Sequence, residues 1–295
     1  MMRVAVLPQG STSDDAARYI LDNIEGVEYH YHRLIAEVFA STAEGRSDYG
    51  VIPIENTIDG SVSLHTDLLI DDVDLPIQAE WVYPSIQNLI GRQAELDRTS
   101  TGELDYSRIV KVMSHPVAMA QCRQFLKKHI PHAELEHVGS TTEAIRLVRD
   151  NPGLGWAAIG QKTAAQYNGL DVLQESVTDH DNNYTRFLLI GPKPLQGKTS
   201  DKHKTTIIVS SQEDYPGGLH QVLSALAWRR INLSRIESRP TKKKLGTYYF
   251  LIDIDMSLES ILLQSAIAEI EAIGFQVRVM GTYPSFSYQA AAHNK

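Results

Sequence analysis

Hydroxyl and amide side chains recur in this 295-residue chain where apolar runs give way to helix-forming ones. Gly10-Ser11-Thr12-Ser13 follows a run ending at Leu7, and Glu55-Asn56-Thr57 follows Val51–Ile54. Ser114-His115-Pro116 follows Val110–Met113, and Gly139-Ser140-Thr141-Thr142 precedes another helical stretch. Such groups donate to carboxylate oxygens, as do free backbone N–H groups at helix starts beyond the ends of parallel strands. Any one cluster is by itself an ordinary N-cap, since Ser, Thr and Asn are favoured there for stability alone. Four of them in one domain of an acidic chain are compatible with a cleft for a small anion without identifying the anion. A further polar loop, Asp179 to Tyr184 and including Asn183, runs into an apolar strand that opens with Thr185, Arg186 and Phe187. Arg186 can pair a carboxylate through both guanidinium arms and Thr185 can donate a hydroxyl proton; a solvated surface turn is the competing reading. His115 is either a proton donor or a capping residue before Pro116 at a helix start.

These residues need a scaffold. Strands are predicted at Arg3–Leu7, Tyr49–Ile54, Ile109–Met113 and Trp156–Ile159, and helices at Asp14–Ile24, Val117–Lys128, Thr142–Asp150 and Lys162–Tyr167. That alternation implies a largely parallel sheet covered on both faces. Longer strands around Pro76–Tyr83 and Ser85–Ile90 interrupt it and read as a crossing into a second lobe, with a cleft between two α/β lobes. Gly191 to Lys204 is polar and rich in Pro and Gly, so domains are expected at 1–191 and 205–284 with a linker over 192–204. In the second domain a strand at Thr205–Ser210 and a helix at Pro216–Arg230 come first. Strands at Asn232–Glu237 and Thr247–Ile254 follow around a lysine-rich turn, then a helix at Leu258–Ile273 and a strand at Phe275–Gly281. The order βαββαβ is the ferredoxin-like split unit, and the residues after Pro284 read as a frayed tail.

Composition narrows the classes. A net charge of -8, with no basic tract longer than Lys242-Lys243-Lys244, disfavours nucleic acid. No apolar run approaches the roughly 18 residues that span a bilayer, and the apolar stretch in Met-Met-Arg-Val-Ala-Val-Leu-Pro is too short for a secretory signal and is expected to be a first strand. The single cysteine, Cys122, forms no intrachain disulfide and suits a reducing, cytoplasmic compartment. His30-Tyr31-His32 puts two imidazoles on one strand face, too few for a metal site, and no cofactor is expected.

The motifs together resemble those of prephenate dehydratases. Thr185-Arg186-Phe187 is similar to the family's Thr-Arg-Phe signature, and Pro53-Ile54-Glu55-Asn56-Thr57 to its Pro-Ile-Glu-Asn-Ser motif. Ser114-His115-Pro116 with Gln121-Cys122 resembles its Ser-His-Pro…Gln-Cys segment, and Pro8-Gln9-Gly10-Ser11 with Ser13 its N-terminal motif. Leu7, Thr12 and Thr57 depart from the usual Gly, aromatic and Ser. In the second domain Pro216-Gly217-Gly218-Leu219 and Glu237-Ser238-Arg239-Pro240 resemble the Gly-Ala-Leu and Glu-Ser-Arg-Pro motifs of a phenylalanine-binding ACT domain, with Gly218 for Ala.

The resemblance implies an α/β fold: a two-lobed catalytic domain like a periplasmic binding protein's, then a ferredoxin-like ACT domain. The implied reaction expels a ring hydroxyl and carbon dioxide from prephenate to give phenylpyruvate, in the monofunctional form. Thr185 is implied at the leaving hydroxyl, with Arg186 and His115 the other catalytic candidates. Ser11, Ser13, Asn56, Thr57, Ser114, Gln121, Thr141, Asn183 and Phe187 are implied at the substrate, and Glu55 as a residue that orients neighbouring donors. Gly217, Gly218, Leu219, Glu237, Ser238, Arg239 and Pro240 are implied at an L-phenylalanine site between paired ACT domains, hence a homodimer or homotetramer under feedback inhibition. Arogenate dehydration, solute binding and amino-acid sensing without catalysis are the rival readings.

Overall fold

A computed structural model of the protein describes residues 1–211, 215–242 and 248–289. The chain divides into two compact units, Met1–Asp72 with Val82–Phe187, and Val73–Trp81 with the residues from Leu188 onward. The first unit opens with β1 (Met2–Val6), α1 (Thr12–Ile20), β2 (Val27–Tyr31), α2 (Ile35–Ala43) and β3 (Tyr49–Asn56). The short β4 (Gly60–Ser61) and α3 (Ser63–Asp67) follow, and β5 (Ile77–Pro84) ends in this unit. Next come β6 (Asn88–Gly91), the small hairpin of β7 (Asp97–Arg98) and β8 (Leu104–Asp105), β9 (Lys111–Ser114), α4 (Pro116–Gln121) and α5 (Arg123–His129). β10 (Glu134–His137), α6 (Thr141–Asp150), β11 (Trp156–Gly160), α7 (Lys162–Tyr167), β12 (Asp171–Gln174) and the start of β13 (Tyr184–Ile190) complete it.

These strands form two sheets. In one, β1 lies parallel to β2 and to β3, and β13 lies beside β3. The other runs β10-β9-β11-β6-β12, parallel across its first three strands and antiparallel at β6. Strand alternation divides the second sheet's side chains between two cores. Leu89, Val112, Ala157 and Ile159 meet Ala118, Met119 and Leu126 on one face, while Ile90, Met113 and Ala158 meet Ile145, Val148 and Ala165 on the other. The expected two α/β lobes are present.

The lobes touch where α1 meets α7. Gly10 has φ +77°, and a Cβ there would stand 2.7 Å from Ala164 Cα, so only glycine lets the loop approach this closely. Gln161 Nε2 donates to Thr12 Oγ1 at 3.0 Å, and Thr163 Oγ1 donates to both carboxylate oxygens of Asp15 at 2.7 and 2.8 Å.

The second unit contains β14 (His203–Ser211), α8 (Gly218–Ala227), β15 (Leu233–Pro240), β16 (Tyr248–Ile254), α9 (Ile261–Ala272) and β17 (Phe275–Phe286). Its antiparallel sheet runs β15-β16-β14-β17. Val222, Leu226, Leu263 and Ile270 of the two helices pack on Ile207, Val209, Ile252 and Ile254. This is the expected βαββαβ unit. Among the described residues no helix is long and apolar enough to cross a membrane.

Several expectations need correction. The helix expected over Val117–Lys128 is two, broken at Cys122. The break frees N–H groups at the start of α5, and the Asp179 carboxylate accepts from Gln124 N and Phe125 N. Residues 285 and 286, expected in a frayed tail, pair as strand with Glu80 and Trp81. The crossing expected over Pro76–Tyr83 and Ser85–Ile90 is present, since β5 belongs to the sheet of β3 and β13 and β6 to the sheet of β9, β11 and β12. The turn residues 243–246, the strand residue 247 and the tail residues 290–295 lie outside the described residues.

Burial pushes the Asp15 carboxyl up to about 6, partly offset by the Thr163 hydroxyl and reinforced by neighbouring Asp14. The folded protein therefore holds an extra proton between an ordinary aspartate's pKa near ~4 and 6, and loses stability as pH rises through that window. A shift of about two units corresponds to roughly 3 kcal/mol. Asp15→Asn is expected to raise the melting temperature by several degrees at pH 7.5 and to flatten its fall between pH 4 and 6. A lower melting temperature than wild type at pH 7.5 would contradict this account.

Candidate functional site

Asn56 ends β3 and turns the chain. Its Oδ1 accepts from Ile58 N at 2.9 Å and Asp59 N at 3.1 Å, an Asx turn that fixes which end of the amide is oxygen. Nδ2 therefore points the other way. It donates to Asn183 Oδ1 at 2.8 Å, Thr185 Oγ1 at 3.0 Å and Tyr184 O at 3.1 Å, two hydrogens shared among three acceptors.

The amides then close a circle. Asn183 Nδ2 donates to Gln121 Oε1 at 2.9 Å, Gln121 Nε2 donates to Asp59 Oδ2 at 2.7 Å, and Asp59 N returns to Asn56 Oδ1. Every bond in the circle runs in the same sense, so each polarises the next. Gln121 comes from α4 beside the second sheet, whereas Asn56 comes from the first, so the circle bridges the lobes. Thr185 stands on its edge, 8% exposed, with Ser85 Oγ at 2.7 Å from its hydroxyl. Thr57 straps the same corner: Oγ1 donates to Asn182 O at 2.6 Å and accepts from Tyr184 N at 2.9 Å.

Other expected residues go elsewhere. Arg186 and Glu55 alternate with Thr185 and Asn56 along β13 and β3, so they share the opposite face, with Nη1 to Oε2 at 3.6 Å. The guanidinium is thus beside Glu55 rather than beside the Thr185 hydroxyl. Phe187 is fully buried in the core. Ser114 is fully buried too, and its hydroxyl donates to Ile159 O at 2.8 Å, linking β9 to β11. His115 caps α4, its Nδ1 accepting from Val117 N at 3.3 Å, which places the ring proton on Nε2. Ser11 caps α1 by accepting from Asp14 N, Ser13 lies buried in that helix's first turn, and Thr141 starts α6 behind the Ser140 cap.

Ser85 and Asp59 are members of the cluster that motif reading missed. Asp59-Gly60 signals a turn, but nothing local marks Asp59 as the partner of Gln121. Ser85 follows a strand without opening a helix, so the junction pattern passed over it.

The second unit holds a cavity of about 590 Å³. Gly217, Gly218, Leu219 and Ser238 line it with Tyr215, Tyr248, Phe250 and Phe275. Gly217 caps α8 at φ +92°, and a Cβ on Gly218 would stand 3.2 Å from Phe275 Cζ. The helix start thus meets an aromatic wall. Glu237 and Arg239 point to the other face of β15, where both Arg235 and Arg239 pair with Glu237. Pro240 closes the strand and does not line the cavity.

A two-lobed α/β domain followed by a βαββαβ unit with its own cavity is the class that these features define. Residues 4–195 match the family model "Prephenate dehydratase" and residues 205–272 match "ACT domain". A prephenate dehydratase of Bacillus subtilis is 38% identical over 267 residues, 88% of this chain and 91% of that one. A prephenate dehydratase of Arthrobacter aurescens, solved in complex with L-Phe, has a TM-score of 0.83 at 28% identity, covering 99% and 94% of the two chains. A solved quorum quenching acylase has a TM-score of 0.81 at 25% identity, covering 96% and 98%. The chain belongs to the prephenate dehydratase family.

Asn56→Asp keeps the oxygen that the Asx turn needs but replaces a donor by an acceptor facing three other acceptors. The variant is expected to lose about 2–4 kcal/mol at pH 8 in urea denaturation and to recover part of it at pH 5, where the buried acid can donate. Wild-type stability at pH 8 would show that the amide is not what holds this corner together.

Proposed function

We propose that the protein converts prephenate to phenylpyruvate, water and carbon dioxide, under feedback control by L-phenylalanine. The observation that carries this reading is the Thr185 hydroxyl, nearly buried and held by Asn56 and Ser85 at the edge of the amide circle. In the reaction the C–C bond to the ring carboxylate breaks, and its electron pair enters the ring. The hydroxyl opposite leaves with the electrons of its own bond and takes up a proton to become water. Aromatisation supplies the driving force. The site must stabilise charge growing on the departing oxygen, and a hydroxyl aimed there by fixed donors does so without reorganising.

A threonine hydroxyl is a weak acid, so its role is to hydrogen-bond and orient the leaving oxygen. Ser11 and Ser13, at the start of α1, are assigned to a substrate carboxylate, helped by the N–H groups and dipole of that turn. Asn56, Asn183 and Gln121 act by holding Thr185, and Thr57 by fixing the start of β13. Arg186 acts from behind the sheet through Glu55, and His115 as a cap.

For control, L-phenylalanine is assigned to the second unit's cavity. Its ring meets Tyr215, Tyr248 and Phe275, and its carboxylate meets the N-terminal turn of α8. β15 ends the sheet of this unit, and pairing such edges between two copies covers them, which favours a homodimer or dimer of dimers. A biosynthetic enzyme with one buried thiol, Cys122, pushed up to about 12 by burial, fits the cytoplasm.

Purified protein is expected to form phenylpyruvate from prephenate in preference to arogenate, and more slowly when phenylalanine is added. Thr185→Ala should lower kcat at least about a hundredfold, roughly 3 kcal/mol, with folding preserved. Turnover near wild type in that variant would remove Thr185 from the chemistry, and a rate indifferent to phenylalanine would remove the control.

A further inference from the structure

Thr185 Oγ1 offers one hydrogen and two lone pairs. Asn56 Nδ2 is an obligate donor, with its amide orientation fixed by the Asx turn, so it fills one lone pair. Ser85 Oγ lies 2.7 Å from the same oxygen, an ordinary distance for an O–H···O bond, and either hydroxyl can be the donor. If Thr185 donates to Ser85, it has no hydrogen for a substrate. If Ser85 donates to Thr185, both lone pairs are filled and the Thr185 hydrogen must point outward.

The main chain of Ser85 is fixed on both sides of its side chain. Its N–H donates to Asn183 O at 2.9 Å, and its carbonyl accepts from Asn183 Nδ2 at 3.0 Å. Asn183 is itself a member of the amide circle, so Ser85 is bolted to the group that Asn56 also holds. Ser85 is 5% exposed and Thr185 8%, which leaves little room for bulk water to exchange with the pair.

We infer that Ser85 is a positioning residue: on substrate binding it donates its hydrogen to Thr185 Oγ1 and directs the Thr185 hydrogen to the leaving hydroxyl. No proton passes from Ser85. Two donors into one oxygen polarise its O–H bond, making Thr185 a better hydrogen-bond donor than an isolated threonine. The inference rests on the proposed dehydration and adds to it a residue outside every motif that pointed there.

The test is steady-state kinetics with prephenate on wild type, Ser85→Ala, Ser85→Thr, Thr185→Ala and the Ser85→Ala/Thr185→Ala double variant. Ser85→Ala should lower kcat about tenfold, a change of about 1.4 kcal/mol, while KM stays within about twofold. Ser85→Thr keeps the hydroxyl and should return kcat to within about threefold of wild type. In the Thr185→Ala background, removing the Ser85 hydroxyl should cost nothing more, because it acts only through Thr185. A Ser85→Ala enzyme with wild-type kcat, or one that loses the same factor with and without Thr185, overturns the inference while leaving the dehydration intact. A wild-type protein inert toward prephenate overturns both.

Discussion

The Asx turn at Asn56 decides how the rest of the site is arranged. An asparagine amide alone can sit either way round, and a flipped one would offer oxygen to Thr185 and nitrogen to two backbone N–H groups. Ile58 N and Asp59 N forbid that, since two donors facing the amide nitrogen would leave the buried Asn56 side chain without an acceptor and turn its oxygen on the acceptors Asn183 Oδ1 and Tyr184 O. With the oxygen pinned, the nitrogen faces Asn183, Tyr184 and Thr185, and the polarity of every later bond follows. Asn183 must accept from Asn56 and donate onward, Gln121 must do the same, and the Asp59 carboxylate receives the last donor. One turn of backbone thus orients a circle of side chains drawn from three separate stretches of chain.

That circle also couples chemistry to architecture. Asn56 and Thr185 lie on adjacent strands of one sheet, whereas Gln121 belongs to a short helix beside the other. Polar groups buried across such a junction are costly if any one partner is missing, so the lobes must meet in one register. The close approach of Gly10 to Ala164 and the Asp15–Thr163 bonds tie the lobes at a second place. The fold by itself would not identify the activity: a quorum quenching acylase shares it with a TM-score of 0.81. The match of residues 4–195 to the prephenate dehydratase family is what speaks for dehydration, and Thr185 is the residue we propose for it.

Much of this was legible in the sequence where local physics decides. The limits of α7 and the βαββαβ order of the second unit follow from periodicity and turn residues. The motifs pointed to Asn56, Thr185, Asn183 and Gln121, which the structure brings together. Elsewhere distant partners decide. The break at Cys122 depends on Asp179 capping α5 from 55 residues away, and β17 runs to Phe286 because Glu80 and Trp81 pair with it. Thr185 and Arg186 appear adjacent in a motif, yet period-two alternation sends them to opposite faces, as it does Ser238 and its neighbours Glu237 and Arg239. Ser85 left no local trace, because its importance lies in a 2.7 Å contact with a residue 100 positions away.

The most direct measurement is a crystal structure with an unreactive substrate analogue whose ring is saturated, so that it keeps both carboxylates and the hydroxyl but cannot aromatise. The Thr185 Oγ1 atom should lie within about 2.6–3.2 Å of the ring hydroxyl oxygen, with the Asn56 contact intact. An analogue bound with its hydroxyl on other groups, and Thr185 still turned only to Ser85 and Asn56, would contradict the account at its centre.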